Sequence, residues 1–294
     1  MSETLRQRTL RLLQQHGLRA SKRLGQHFLI DNGVARDIVA AAELSGDENV
    51  LEIGAGLGAL TEHLARAARR VVAVEIDKGI AAALERLAHD WPVQVLHADF
   101  LKLDLATVCG GDRAEPWKVV GNLPYNVTAP ILHRLREHFA RFERFIVTVQ
   151  QEVAQRLRAR PGTKTYGAMT VAMQARFLLE PVRTVPPQAF FPVPDIVSEV
   201  LCLRPLTEPL VPSAYATIFE QVVRGAFAQR RKTILNSLSG SDRLPASRAQ
   251  IADALVAAGI DPGQRAEALS PDELLALTKA IAAIETDGAE GVRQ

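Results

Sequence analysis

The run Asn122-Leu123-Pro124-Tyr125 places an amide, a fixed kink and an aromatic ring within four residues. It follows directly on an apolar segment, 118–122, that reads as a buried strand. A loop needed only to turn the chain more usually carries Gly, Asp, Asn or Ser. The Asn122 side-chain oxygen and the Leu123 carbonyl can accept hydrogen bonds from an amino group. Pro124 keeps the backbone off a helical path, and Tyr125 offers a ring face for stacking. Such acceptors suit an amino group whose lone pair is delocalised into a ring, as in adenine. They hold its hydrogens and draw the nitrogen towards tetrahedral geometry, which favours attack on a methyl group through positioning and electrostatics. For these four residues alone, a proline-ordered turn with a surface tyrosine is an equal reading.

Two further stretches carry polar groups at strand ends. "GAGLGAL" from Gly54 places glycines at 54, 56 and 58, which permit a tight turn and close backbone approach to a ligand. Gly54, Gly56 and Ala59 also satisfy the dinucleotide fingerprint, and Glu75 follows at the expected spacing of about 20 residues. A carboxylate there accepts from ribose hydroxyls whichever nucleoside cofactor is bound. "HADF" puts Asp99 past a third strand, where it can accept from an exocyclic amino group or simply cap a turn.

The elements that must position these groups alternate in type. Apolar runs at 49–54, 71–76, 93–99, 118–122 and 144–150 read as strands, and helical patterns lie between them and after the last. This predicts an α/β fold with a parallel sheet covered on both faces and right-handed crossovers. A late strand is expected over 196–204. "PPQAFFPVPD" is too proline-rich for a regular element. Three prolines in "RPLTEPLVP" mark a hinge, giving domains of 1–205 and 206–294. The second reads as all-helical: 215–238 is helix-periodic throughout, and Ser270 with Glu273 forms a capping box.

Charge is distributed unevenly. Residues 1–30 hold six Lys/Arg against Glu3 alone, and 221–250 hold six against Asp242 alone, within a net charge of only +2. Two basic segments point to a polyanion gripped from two sides, as in nucleic-acid binding. No apolar run approaches the roughly 18 residues of a membrane span. Cys109 and Cys202 lie far apart with no paired spacing, which argues against a disulfide framework and a cysteine-based zinc site. The seven histidines show no ligand spacing, so no metal is expected. A cytoplasmic setting fits. The Arg-rich start has the profile of a transit peptide.

Eight motifs in order are similar to those of the ribosomal RNA adenine dimethyltransferases, of the small-subunit type. They are "KRLGQHFLID", "VLEIGAGLGALTEHL", "VVAVEID", "LHADFLKLD", "VVGNLPYNVTAPIL", "QQEVAQRL", "FFPVPDIVSEVL" and "FAQRRKTILNSL". The resemblance runs from about 15 to about 277. The first is a cofactor motif in that family, so 22–31 is not expected to be a removable leader.

The resemblance implies a Rossmann-like class I S-adenosylmethionine-dependent methyltransferase domain with a small helical C-terminal domain. His27, Leu29, Gly54, Gly56, Glu75, Ile76, Asp99, Phe100 and Asn122 would surround the cofactor. Asn122, Leu123, Pro124, Tyr125 and Phe190 would form the catalytic pocket, Phe190 giving a second aromatic surface, with Phe190 and Phe191 as plain core residues the alternative. Lys22, Arg23, Arg230, Arg231 and Lys232 would bind RNA, the last three on a helix. His27 departs from the Asn of many relatives. The implied reaction is N6,N6-dimethylation of two adjacent adenosines near the 3′ end of small-subunit (16S) rRNA, by a monomer. A nicotinamide oxidoreductase, a large-subunit resistance methyltransferase and a non-catalytic assembly factor are the rival readings. The first leaves "NLPY" and both basic segments unexplained.

Overall fold

The computed structural model describes residues 3–110, 117–244 and 246–290, with 285–290 described as helix path only. The chain divides into two compact units, Met1–Ala154 with Leu179–Pro205, and Gln155–Leu178 with Leu206–Gln294. The expected division after 205 is therefore one of three. Residues 155–178 group with the second unit, because Tyr166 and Val171 are buried among its apolar side chains.

Nine strands lie among the described residues, all in the first unit apart from the first two residues of β7: β1 (Phe28–Leu29), β2 (Asn49–Ile53), β3 (Arg70–Glu75), β4 (Val93–His97), β5 (Trp117–Asn122), β6 (Arg144–Gln150), β7 (Phe177–Val185), β8 (Phe190–Phe191) and β9 (Ser198–Pro205). Seven form one sheet in the order β4-β3-β2-β5-β6-β9-β7. β2, β3, β4, β5 and β6 pair in parallel, as their Val/Ile/Leu-rich sequences predict. β2, β5 and β6 are buried along nearly their whole length. The helices of this unit are α1 (Leu5–Gln15), α2 (Asn32–Ala41), α3 (Thr61–Ala67), α4 (Lys78–Leu87), α5 (Leu105–Val108) and α6 (Thr128–Glu137). Leu12, Leu13, Phe28, Leu57 and Ile80 bury together, which joins α1 to the glycine turn and α4. Arg8 on α1 also pairs with Glu62 on α3.

Three features depart from expectation. β9 runs antiparallel to β6, so the sheet is mixed. β7 falls where no strand was expected. It contains Pro181, which a strand at the outer edge of a sheet tolerates because an outward N–H needs no partner. Phe190–Phe191, inside the proline-rich run, pairs antiparallel with β1 in the register Phe28 to Phe191 and Leu29 to Phe190.

The second unit is helical: α7 (Gln151–Leu157) enters it, followed by α8 (Ala168–Gln174), α9 (Ala216–Ala226), α10 (Ile234–Ser239), α11 (Arg248–Ala257) and α12 (Pro271–Glu290). Val222, Ile234, Leu238, Leu255, Leu274 and Leu277 form its core. The capping box is made: the Ser270 amide donates to Glu273 Oε2 at 2.7 Å and the Glu273 amide to Ser270 Oγ at 3.2 Å. The single helix expected over 215–238 is broken, and Arg230, Arg231 and Lys232 lie in the turn between α9 and α10. Thr233 restarts the helix as N-cap, its side chain accepting from the Asn236 amide. No helix among the described residues is long and apolar enough to cross a membrane.

Candidate active site

β2 pairs with β3 on one side and β5 on the other, so the chain's winding reverses beside it. Open α/β sheets hold ligands beyond the carboxyl ends of their strands at such a point. The glycine turn after β2, Glu75 at the end of β3 and Asn122 at the end of β5 meet there. One cavity is lined by His27, Leu29, Gly54, Gly56, Glu75 and Ile76, and by Asn122, Leu123, Pro124 and Tyr125. These are ten of the residues singled out from the sequence.

Gly54 adopts φ +72, and a side chain there would lie 3.3 Å from the Asn122 carbonyl oxygen. Only glycine satisfies both demands without strain. Glu75 is buried, with Oε2 accepting from the Gly56 amide at 2.9 Å and Oε1 from the Asp77 amide at 2.9 Å. Burial raises its pKa despite these bonds. The carboxyl thus ties the glycine turn to the start of α4, and each oxygen keeps a second lone pair for a hydroxyl donor.

Asn122 is the most informative residue. Its Nδ2 donates to the His27 carbonyl at 3.0 Å, which fixes the orientation of the amide. Its Oδ1 is buried and has no partner. A buried acceptor without a donor costs roughly 1–3 kcal/mol, and on a residue that lines the cavity it is open to a donor from a ligand. The Leu123 amide donates to the Thr148 carbonyl at 3.1 Å, which holds the following loop against β6.

A second cavity lies on the other side of Tyr125. Lys22, Gln26, His27, Tyr125, Gln150 and Pro192 are among its lining residues. Tyr125 and His27 therefore belong to both cavities. Their rings stack at 5.2 Å with an interplanar angle of 24°. His27 Nδ1 donates to the Pro192 carbonyl at 2.7 Å, and the Tyr125 hydroxyl bonds Ser198 Oγ at 2.5 Å. Burial raises the pKa of the Tyr125 phenol, so it is neutral at physiological pH.

Three expected residues stand outside the first cavity. Asp99 caps a short 3₁₀ turn, its Oδ1 accepting from the Leu101 amide at 3.0 Å. Phe100 is buried, with the Arg134 guanidinium 6.0 Å from its ring centre. Phe190 is only 1% exposed and packs in the sheet core, because its register opposite Leu29 turns the ring inward. It offers no open face to a base in this conformation, which corrects the expectation of a second aromatic surface there.

Lys22 and Arg23 are exposed in a 3₁₀ turn, Lys22 on the second cavity. Arg231 and Lys232 are exposed as well. Arg230 is committed within the second unit: its guanidinium donates to the Lys164 carbonyl at 2.7 Å and the Tyr166 carbonyl at 3.3 Å. Among the described residues no cluster of three or more His, Cys, Asp or Glu could hold a metal.

Sequence reasoning missed Glu52, Gln26 and Ser198. Glu52 is 1% exposed under the first cavity, and burial pushes its carboxyl up to about 8, with Thr61 Oγ1 donating to it at 2.7 Å. An acid inside the otherwise apolar stretch "VLEI" was the available signal. Gln26 lines both cavities. Its Oε1 accepts from the Ser21 amide at 2.8 Å, and its Nε2 is a buried donor without a partner. Nothing local in the sequence marks Gln26 or Ser198.

Known proteins are similar to this chain over most of its length. The ribosomal RNA adenine dimethylase family matches residues 17–283. "Ribosomal RNA small subunit methyltransferase A" of Geobacter metallireducens is 41% identical over 269 residues, covering 91% of this chain and 98% of the relative. The protein of the same name from Geobacillus thermodenitrificans is 44% identical over 280 residues, covering 93% and 95%. Among solved structures, the 23S rRNA methyltransferase ErmE is 31% identical with a TM-score of 0.65, covering 87% of this chain and 99% of that one. A dimethyladenosine transferase from Plasmodium falciparum, 22% identical with a TM-score of 0.72 over 85% and 96%, shares the fold. With a Rossmann-like sheet, the glycine turn and the Asn122 loop all within the matched span, the chain belongs to the ribosomal RNA adenine dimethylase family of methyltransferases.

Proposed function

We propose that the protein transfers methyl groups from S-adenosylmethionine to N6 of two adjacent adenosines near the 3′ end of small-subunit (16S) rRNA, giving N6,N6-dimethyladenosine. The observation that carries the chemistry is the buried, unpartnered Oδ1 of Asn122, oriented by the Nδ2 bond to His27. The choice of the small subunit is supported by relatives of that name at 41% and 44% identity, against 31% for the 23S enzyme.

S-adenosylmethionine supplies an electrophilic methyl on a sulfonium, already a good leaving group. Gly54 and Gly56 let the backbone approach it, and Glu75 accepts from its ribose hydroxyls. His27, Leu29 and Ile76 enclose it, and Asp99 with Phe100 keep an adenine-side role that requires their 3₁₀ turn to meet the cavity. Asn122 Oδ1 and the Leu123 carbonyl hold the hydrogens of the target N6 and turn its lone pair towards the methyl. Pro124 keeps that carbonyl on its non-helical path. Tyr125 carries the extruded base, and aromatic stacking contributes about 1–3 kcal/mol. Lys22, Arg23, Arg231 and Lys232 hold phosphates, and the RNA supplies the large interface to a monomer.

The test is transfer of labelled methyl from S-adenosylmethionine to unmethylated small subunits, with the product base mapped, for wild type and Asn122→Ala. Label on two adjacent adenines near the 3′ end, at least about 100-fold slower in the variant, is expected from loss of one transition-state hydrogen bond. Label on a large-subunit adenine would transfer the reading to the 23S type. Tight subunit binding with no transfer would leave an assembly factor.

A further inference from the structure

A stacking face serves catalysis only if its plane is held. The Tyr125 ring is held at two points. One face lies against His27, whose own ring is fixed by its Nδ1 bond to the Pro192 carbonyl at 2.7 Å. The hydroxyl end is fixed by Ser198 Oγ at 2.5 Å. Ser198 is wholly buried at the first position of β9, paired with Gln150 of β6, so its hydroxyl sits on the rigid sheet. The two anchors, His27 and Ser198, each lie more than 70 residues from Tyr125 in the sequence, one on either side.

Tethering matters here because Tyr125 stands between the two cavities. A base on its free face must bring N6 to Asn122 Oδ1, which is oriented through the backbone carbonyl of the same His27. A tilt of the phenol would carry the base away from the acceptor. Misplacement of a reacting atom by about 1 Å can cost on the order of 100-fold in rate.

We infer that Ser198 is a positioning residue of methyl transfer: its hydroxyl, acting through the Tyr125 hydroxyl and opposite the His27 ring, fixes the plane on which the target base stacks. This rests on the methyl-transfer reading above. The role is to orient, so it predicts coupling between two hydroxyls and no change in donor binding.

The experiment compares Ser198→Ala, Tyr125→Phe and the double variant in the full-length protein. It measures kcat and KM for unmethylated small subunits, and S-adenosylhomocysteine affinity by calorimetry. Each single change is expected to lower kcat about tenfold, with S-adenosylhomocysteine affinity within about twofold of wild type. The double variant should be no slower than the slower single, because both remove the same bond. A double variant slower by the product of the two effects would overturn the inference, as would kcat within twofold of wild type for Tyr125→Phe. Tyr125→Phe keeps the ring and decides the matter alone if Ser198→Ala does not fold. A wild-type protein that transfers no methyl group defeats the function proposed above, an outcome separate from these comparisons.

Discussion

At the scale of single residues, the site separates groups that hold a ligand from groups that hold other residues. Glu75 does both, since each carboxylate oxygen already accepts a backbone amide. Gln in its place can offer only one acceptor oxygen and sets an NH₂ against the other amide. Glu75→Gln is therefore expected to weaken S-adenosylhomocysteine binding by about 10- to 100-fold, about 1–3 kcal/mol, measured by calorimetry. Glu52 yields a pH prediction. Its pKa is raised by burial from 4.5 unfolded to about 8 folded. The folded state thus keeps a proton that the unfolded state gives up. The associated stability is complete below about pH 4.5 and is lost as pH rises to about 8. Glu52→Gln carries no titrating proton, so between pH 5 and pH 8 its stability should gain about 3 kcal/mol relative to wild type. Urea melts at the two pH values check this. An unchanged difference would mean Glu52 is ionised in the folded state.

At the scale of elements, the site depends on how closely two parallel strands approach. Gly121 of β5 stands opposite Ile53 of β2, and a Cβ there would lie 2.8 Å from the Ile53 carbonyl oxygen and 3.2 Å from Ile53 Cβ. Neither strand can retreat, because β2 is held by β3 and β5 by β6. Gly121→Ala is expected to cost about 1–3 kcal/mol and to displace Asn122, the next residue, so that activity falls further than stability alone explains. Thermal melts and methyl-transfer rates on the folded fraction separate the two effects. The glycine is visible in the sequence as an odd residue in "KVVGN", but its reason is a neighbour almost 70 residues away.

At the scale of the whole molecule, the basic residues differ in what they are free to do. Arg11 pairs with Glu3, Arg8 with Glu62, and Arg230 with two backbone carbonyls of its own unit. Arg231 and Lys232 are exposed in the α9–α10 turn. Each phosphate contact contributes roughly 0.7 to 0.9 to the slope of log K against log salt. Neutralising both residues to Ala should lower that slope for small-subunit binding by about 1 to 2, with S-adenosylhomocysteine affinity unchanged. Arg230→Ala should instead lower the stability of the second unit by about 1 kcal/mol, read as an earlier thermal transition. A slope unaffected by the double change would remove this turn from the RNA interface.

The sequence by itself determined what depends on near neighbours. Apolar runs of strand length placed β2, β3, β5 and β6, the glycines and Glu75 marked the turn, and the order of motifs identified the family. These signals are local, because strand patterning and tight turns are properties of a few consecutive residues. Tertiary structure alone decided which way Phe190 faces, since that follows from the pairing of β8 with β1 across more than 160 residues. It also decided that Arg230–Lys232 form a turn and that Ser198 reaches Tyr125. The orphaned oxygen of Asn122 belongs to the same class. Its orientation is set by the carbonyl of His27, 95 residues earlier in the chain, and no pattern within "NLPY" records that partner. Long-range partners are chosen by packing and by satisfying buried polar groups, and neither is written in consecutive residues.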